Sequence, residues 1–269
     1  MKFQKYSLIT GAGGLLGKMH AEALLEQGKN LIITDLNKIS LNSLKEKLLN
    51  KFKNPNIFVE NLDVTSEESI KRLIKKLNKN KIIVDTLINN AIIDHKFKSK
   101  NNFSNSTRLE NYSLKMWKKE LDVGLTGPML CSRFFGYEMY KKKIPGIILN
   151  IGSELSVIAP NQKIYSIRDK KIKPVKPVTY SVIKHGIVGL TKYLATYWSE
   201  SNIRCNCLSP GPVDQGQNKS FLKKINNQIP IKRLAKTNEY KGAIKFLCSK
   251  DSSYMNGHNL IMDGGRSIW

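Results

Sequence analysis

The chain has 269 residues, 41% of them hydrophobic and 25% charged, with a formal net charge of +24. This is enough material for one large domain with a buried core, and no run reaches the roughly 18 consecutive apolar residues of a membrane span. The charge argues against nucleic-acid binding: only seven of the 45 basic residues are Arg, the side chain suited to bidentate phosphate recognition, and the lysines are spread through every segment. What it leaves is a general attraction for anionic substrates or acidic partners. The start, MKFQKYSLIT, runs straight into a strand without a signal-peptide core, so a soluble, cytoplasmic protein is expected. Cys131, Cys205, Cys207 and Cys248, like His20, His95, His185 and His258, lack metal-ligand spacing, and no metal site is expected. Cys205 and Cys207 share one side of a strand and could pair, but packing a sheet as small apolar residues is the plainer reading.

In chain order, the apolar runs SLIT, LIIT, NIFVE, TLINN, GIILNI, NIRCNCL and NLIM alternate with helix-period segments at 15–27, 40–53, 66–78, 113–141, 179–199 and 238–249. Strands alternating with helices make βαβ units, and strands covered on both faces read as continuous apolar runs. The expectation is an α/β fold with a Rossmann-type doubly wound parallel sheet, a single domain over 1–269.

The first strand turns into a helix through TGAGGLLG, where Gly11, Gly13, Gly14 and Gly17 let the backbone approach a pyrophosphate at a helix N-terminus. Asp35 ends the second strand, eighteen residues after Gly17. A carboxylate there accepts both ribose hydroxyls and repels an added 2′-phosphate. With no Arg in 35–40 and only Lys38 as a cation, NAD is favoured over NADP. Segments 92–112 and 154–178 are too long for ordinary connections, and with 211–230 they are candidate substrate walls.

Tyr180 and Lys184 stand four residues apart in VTYSVIKHGIVGLTK, so they share a helix face. A fixed positive charge favours the ionised form of a phenol, which makes Tyr180 a candidate general acid/base. Tyr165 is nearer to Ser153, but its i+4 neighbour is Asp169, whose charge has the opposite effect; it reads as a substrate-loop residue. Ser153 is expected to end the fifth strand, GIILNIGS, and Ser156, which competes with it, falls beyond the strand end.

The pair, taken with TGAGGLLG, Asp35, LINNA at 87–91, LNIGS at 149–153 and LSPGPV at 208–213, resembles the short-chain dehydrogenase/reductase family from about Lys5 to the MDGG at 262–265. The resemblance implies about seven strands and a catalytic set of Ser153, Tyr180 and Lys184. Ser153 would donate to the substrate oxygen, Tyr180 would pass the proton, and Lys184 would hold the nicotinamide ribose and depress the tyrosine pKa. The implied cofactor-binding set begins with Gly11, Gly13, Gly14, Leu15, Leu16 and Gly17, with Leu15 in place of the family's middle glycine, and continues to Asp35 and Leu36. Asp63, beside Val64, would meet the adenine amine, and Asn89, with Asn90 and Ala91, would line the path to the nicotinamide ribose. Val213, after Pro210 and Gly211, would present backbone to the carboxamide. The family's Gly after Asn-Asn-Ala is Ile92 here, its Thr after Pro-Gly is absent, and its active-site Asn is Gly124.

The implied function is an NAD-dependent oxidoreductase interconverting a secondary alcohol and a ketone. The substrate expected is a phosphorylated or nucleotide-linked sugar, because PVKPVTYSVIKHG and MNGHNLIMDGGRS are similar to a branch found with surface-glycan or flagellin-glycan genes. Lys163, Arg168, Lys170, Lys171, Lys173 and Lys176 would suit an anion. The alternatives are a β-ketoacyl-carrier-protein reductase, against which Asp35 counts, and a catalytically silent dinucleotide sensor, motivated by Gly124. Partners expected are a small molecule and further copies of the chain, in a homotetramer or homodimer built partly on the helix of Tyr180, where Leu190, Tyr193, Leu194 and Trp198 fall at a helical spacing compatible with such a face and equally with plain core.

Overall fold

The computed structural model describes residues 3–93, 105–165 and 174–269. Seven strands form one all-parallel sheet: β1 (Gln4–Ile9), β2 (Leu31–Asp35), β3 (Ile57–Asn61), β4 (Ile82–Asn89), β5 (Gly146–Ile151), β6 (Ile203–Pro210) and β7 (Asn259–Met262), in the order β3-β2-β1-β4-β5-β6-β7. The helices are α1 (Leu15–Leu25), α2 (Lys38–Lys51), α3 (Glu67–Lys79), α4 (Leu114–Leu121), α5 (Gly127–Lys141), α6 (Val178–Tyr197), α7 (Lys219–Asn226) and α8 (Lys241–Leu247), with a π-helical turn at Asp122–Thr126 joining α4 to α5. All seven apolar runs are strands, and the fold is the expected doubly wound one.

Burial on both sheet faces explains the unbroken apolar strands. Met19 and Leu24 of α1, Leu41, Leu44 and Leu48 of α2, and Ile244 and Leu247 of α8 cover one face. Ile70, Leu73 and Leu77 of α3, Phe135 and Met139 of α5, and Leu194 of α6 cover the other. α3 shows how sequence fixes an element: Ser66 caps its first turn by accepting the Ser69 N–H at 3.1 Å, and Glu67 and Glu68 sit at its positive end. The four cysteines are buried, and burial pushes the thiols of Cys131 and Cys248 up to about 12 and about 11. Leu194 and Trp198 belong to this core, not to a free face; Trp198 lies where a Cβ on Gly136 would come within 2.4 Å. Tyr193 and Tyr197 are exposed, with ring centroids 5.7 Å apart.

Candidate active site

After β1 the chain leaves toward β2, and after β4 toward β5, so a crevice opens between the carboxyl ends of two neighbouring strands. Thr10 stitches its floor: Oγ1 accepts the N–H groups of Asn90 and Ala91 at 3.0 and 3.1 Å, and Asn90 Nδ2 donates to the carbonyls of Thr10 and Gly11, both at 3.0 Å. His20 lies beneath, Nε2 3.2 Å from Asn90 Oδ1. Its burial outweighs that bond and pulls its pKa down to about 3, so the ring is neutral.

The glycine turn fits a dinucleotide. Gly11 has φ +63°, and a Cβ there would lie 2.8 Å from Ala91 Cα; one on Gly13 would lie 2.7 Å from Ser40 Cβ. Gly14 caps α1 without a side chain, no acidic residue stands in the first turn, and the positive helix end is left for an anion. Asp35 ends β2, where Oδ2 accepts the Gly13 N–H at 3.1 Å and Oδ1 the Asn37 N–H at 3.0 Å, tying the carboxylate to the glycine turn. Leu15 and Leu36, 41% and 62% exposed, offer apolar surface beside it. Leu16 packs against the core instead.

The remaining expected cofactor residues divide. Asp63 follows β3, its Oδ1 accepting from the Thr65 N–H and hydroxyl at 2.9 and 2.7 Å; Val64 beside it is buried against Gly127. Asn89 is turned inward: its amide donates to Asn150 Oδ1 at 2.8 Å and Ser132 Oγ at 3.0 Å. Side chains alternate across a strand, so Asn89 braces β4 against β5 and α5, and the crevice edge falls to Asn90 and Ala91. Beyond β6, which ends at Pro210, Gly211 donates to the Met262 carbonyl at 2.8 Å, and Val213 bridges to Ala235.

On the other side of the crevice, β5 ends at Ile151, two residues earlier than expected. Ser153 is an extended residue that caps a 3-10 turn at Glu154–Ser156, with Oγ accepting the Leu155 N–H at 3.2 Å. Pro177 precedes the first turn of α6 and presets its φ. From α6, Lys184 reaches the end of β5: only 5% exposed, its Nζ donates to the Ile151 carbonyl at 2.8 Å. Lys184 Nζ is 5.6 Å from the Tyr180 ring centroid, and Lys176 Nζ is 3.7 Å from it. Two ammonium groups therefore flank this phenol. Behind Tyr180, Thr179 contacts Tyr112 Oη at 3.0 Å, and Glu120 accepts from Tyr112 Oη at 2.7 Å and also from Thr179. Burial, then the bond to Glu120, pushes the Tyr112 phenol up to about 12.

Gly124 lies in the π-helical turn, the irregularity that a glycine accommodates easily. A Cβ there would come within 2.9 Å of Ile183 Cδ1 and Cγ2, so Ile183 occupies the space an Asn side chain would need. The side chains of Ser156 and Tyr165 have partners of their own. Ser156 Oγ contacts Ser209 Oγ at 3.0 Å and accepts from Asn259 Nδ2 at 3.2 Å, and Tyr165 packs on Phe221 of α7 at 5.8 Å. Arg168, Asp169, Lys170, Lys171, Lys173 and most of loop 92–112 lie outside the described residues.

Sequence reasoning missed two groups, Glu154 with Arg266 and the Tyr112–Glu120–Thr179 cluster. The first had a signal: a carboxylate directly after Ser153, with no charged neighbour in the apolar run, requires a partner from a distant segment.

A family profile described as Enoyl-(Acyl carrier protein) reductase matches residues 11–267. The chain is 31% identical to the trans-4-hydroxycyclohexanecarboxylate dehydrogenase of Sinomonas cyclohexanicum, over 98% of this chain and 93% of that protein. It is 29% identical to post-translational flagellin modification protein A of Campylobacter coli, over 97% of each chain. Among solved structures, a short-chain dehydrogenase from Leptospira borgpetersenii with bound NAD+ superposes with a TM-score of 0.84 at 29% identity, covering 99% of this chain and 94% of that one.

Proposed function

The chain belongs to the short-chain dehydrogenase/reductase family, whose members act on CH–OH groups with NAD(P), and from that premise we propose a cytoplasmic, NAD-dependent oxidoreductase that interconverts a secondary alcohol and a ketone on a phosphorylated or nucleotide-linked sugar. The observation that carries the reading is Tyr180 flanked by the ammonium groups of Lys184 and Lys176, beside the strand end that leads to Ser153. The flanking charges favour the phenolate, so Tyr180 takes the alcohol proton in oxidation and returns it in reduction. Lys184, anchored on Ile151, holds the charge that makes this exchange easy and reaches toward the nicotinamide ribose. Ser153, whose hydroxyl donates to Glu154 Oε2 at 2.7 Å, turns it to the substrate oxygen when substrate binds and stabilises the charge that develops there. When bound along the glycine turn and Asp35, the nicotinamide cofactor supplies the hydride chemistry.

NAD rests on Asp35, whose carboxylate is fastened to Gly13 and Asn37 and would repel a phosphate of like charge. Asp35→Ala is expected to weaken NADH at least about tenfold, roughly 1.4 kcal/mol, and to change NADPH far less, as measured by cofactor fluorescence titration. Equal affinity of the unaltered protein for both cofactors would contradict this.

The anionic sugar rests on the net charge, on Lys176 at the tyrosine ring, and on likeness to the flagellin modification protein. Lys176→Met is expected to raise the Michaelis constant several-fold through the lost anion contact, and to lower the maximal rate as well, since one of the two charges that favour the Tyr180 phenolate goes with it. Added salt should reproduce it, since exposed charges are screened over about 8–10 Å. A salt-insensitive Michaelis constant would point to a neutral substrate. The family description favours a second reading, reduction of an acyl-carrier-protein substrate, and Asp35 counts against it. Exposed Tyr193 and Tyr197 on α6 support a homo-oligomer, and the four unpaired cysteines suit a reducing compartment.

A further inference from the structure

Glu154 has no part in the chemistry above beyond holding the Ser153 hydroxyl, yet it is a buried charge, 5% exposed. A buried carboxylate is tolerated only when its oxygens are matched by donors, and each oxygen here has its own. Oε1 accepts from Arg266 Nη1 at 2.6 Å, and Oε2 accepts from Ser153 Oγ at 2.7 Å. Arg266 is equally buried, and its second arm donates to Gln228 Oε1 at 3.2 Å, which fixes the guanidinium and, through it, the carboxylate. Gln228 belongs to segment 211–230, one of the candidate substrate walls.

The donor to Oε1 is fixed, whereas the donor to Oε2 is the hydroxyl that turns to the reacting oxygen when substrate binds. A serine has one proton to give, and among the described residues Oε2 has no other donor. Substrate binding therefore strips a buried anionic oxygen of its hydrogen bond, which is costly unless a new donor arrives. The substrate is placed to supply it. Oε2 lies 2.7 Å from Ser153 Oγ, and an oxygen accepting from Oγ stands about 2.7 Å from it as well. Oxygens on adjacent carbons, turned to the same side, are separated by a comparable length. Ser153 Oγ, the reacting oxygen, its neighbour on the next carbon and Oε2 can thus close a ring of four. We propose that Glu154 is a substrate-binding residue that accepts a hydrogen bond from a hydroxyl on the carbon next to the reacting one, so that the site selects α-hydroxy ketones and the matching vicinal diols over simple ketones and alcohols. The protons balance: the reacting oxygen exchanges its proton with Tyr180, Ser153 donates to that oxygen in both directions, and the neighbouring hydroxyl keeps its own proton in the bond to Oε2. The inference rests on the oxidoreductase reading with Ser153 as the donor to the substrate oxygen, and it narrows the substrate class.

The probes are dihydroxyacetone phosphate, which has a hydroxyl on the carbon next to its carbonyl, and hydroxyacetone phosphate, in which hydrogen takes that hydroxyl's place, each with NADH. Both carry the same phosphate. The unaltered protein is expected to show a kcat/KM at least about 100-fold higher for the first, since a site built to bind a hydroxyl rejects the analogue that lacks it. The reference protein is Glu154→Met/Arg266→Met, because exchanging a buried ion pair for apolar side chains is tolerated where removing one partner is not. There the ratio is expected to fall at least about tenfold, the size of one charge-assisted bond. Turnover of hydroxyacetone phosphate should hold or rise, because Ser153 no longer has to leave a carboxylate. A merely structural role would lower both values together and leave their ratio unchanged. Should the pair not fold, Glu154→Gln keeps the bond from Arg266, replaces the anionic acceptor by an amide, and is read in the same way.

A ratio near one in the unaltered protein, or a ratio that the variant leaves unchanged, overturns the inference and leaves the proposed function intact. Where neither triose phosphate is reduced but a larger keto-sugar is, that sugar and its analogue with hydrogen in place of the neighbouring hydroxyl form the pair. If no ketone is reduced, with or without such a hydroxyl, the proposed function fails and the inference falls with it.

Discussion

Tyr180→Phe is expected to lower kcat by about 10²–10⁴-fold, the usual worth of positioned proton transfer, while NADH binding is retained. The substitution removes one oxygen and keeps the ring between Lys184 and Lys176. Nothing else on α6 replaces it: His185, next to Lys184, is turned back to the Ser181 carbonyl at 2.9 Å. Tyr165, nearer in sequence to Ser153, packs against α7. Parallel kinetics and NADH fluorescence titration of the two proteins check this. Activity that survives Tyr180→Phe and disappears in Tyr165→Phe would identify a different proton carrier.

Gly17→Val is expected to weaken NADH at least about 100-fold, roughly 2.8 kcal/mol, and to cost about 1–3 kcal/mol of stability through overpacking. A Cβ at Gly17 would lie 2.5 Å from the Gly11 carbonyl oxygen and 2.7 Å from Ala12 Cα. Both are backbone atoms of the glycine turn, so no side-chain rotation relieves the collision. The loop must leave the helix end, and the anion site is lost with it. Gly189→Ala is the control: its Cβ meets nothing within 4 Å in the middle of α6, and about 0.5–1 kcal/mol of stabilisation is expected from the lower chain entropy. Calorimetry together with NADH titration separates the two effects. Unchanged NADH affinity in Gly17→Val would place the diphosphate elsewhere.

The strands and the glycine turn were legible in the sequence because their causes are local: continuous apolar runs covered on both faces, and glycines where no Cβ fits. The Tyr180–Lys184 pair was legible because helical spacing alone puts it on one face. Asn89 was not, since its direction depends on which strand lies alongside β4, and with β5 as neighbour its amide closes on Asn150. Leu194 and Trp198 were ambiguous in the same way, as helical spacing says that a face is apolar but not what covers it. The π-helical turn interrupts the single helix-period segment 113–141, and glycine at 124 makes such an irregularity easy without requiring it. The reason for glycine there, the bulk of Ile183, comes from a helix some sixty residues away. Glu154 and Arg266 are 112 residues apart, and only the folded chain brings them together.

The most direct test is a coupled assay of the unaltered protein with NADH against a panel of keto-sugar phosphates and nucleotide-linked keto-sugars, followed by the loss of NADH absorbance, with Tyr180→Phe run in parallel. The account predicts saturable NADH binding, NADH oxidation with at least one anionic keto-sugar, and its loss in Tyr180→Phe. Saturable NADH binding without turnover on any member of the panel, or turnover that Tyr180→Phe leaves unchanged, would contradict it.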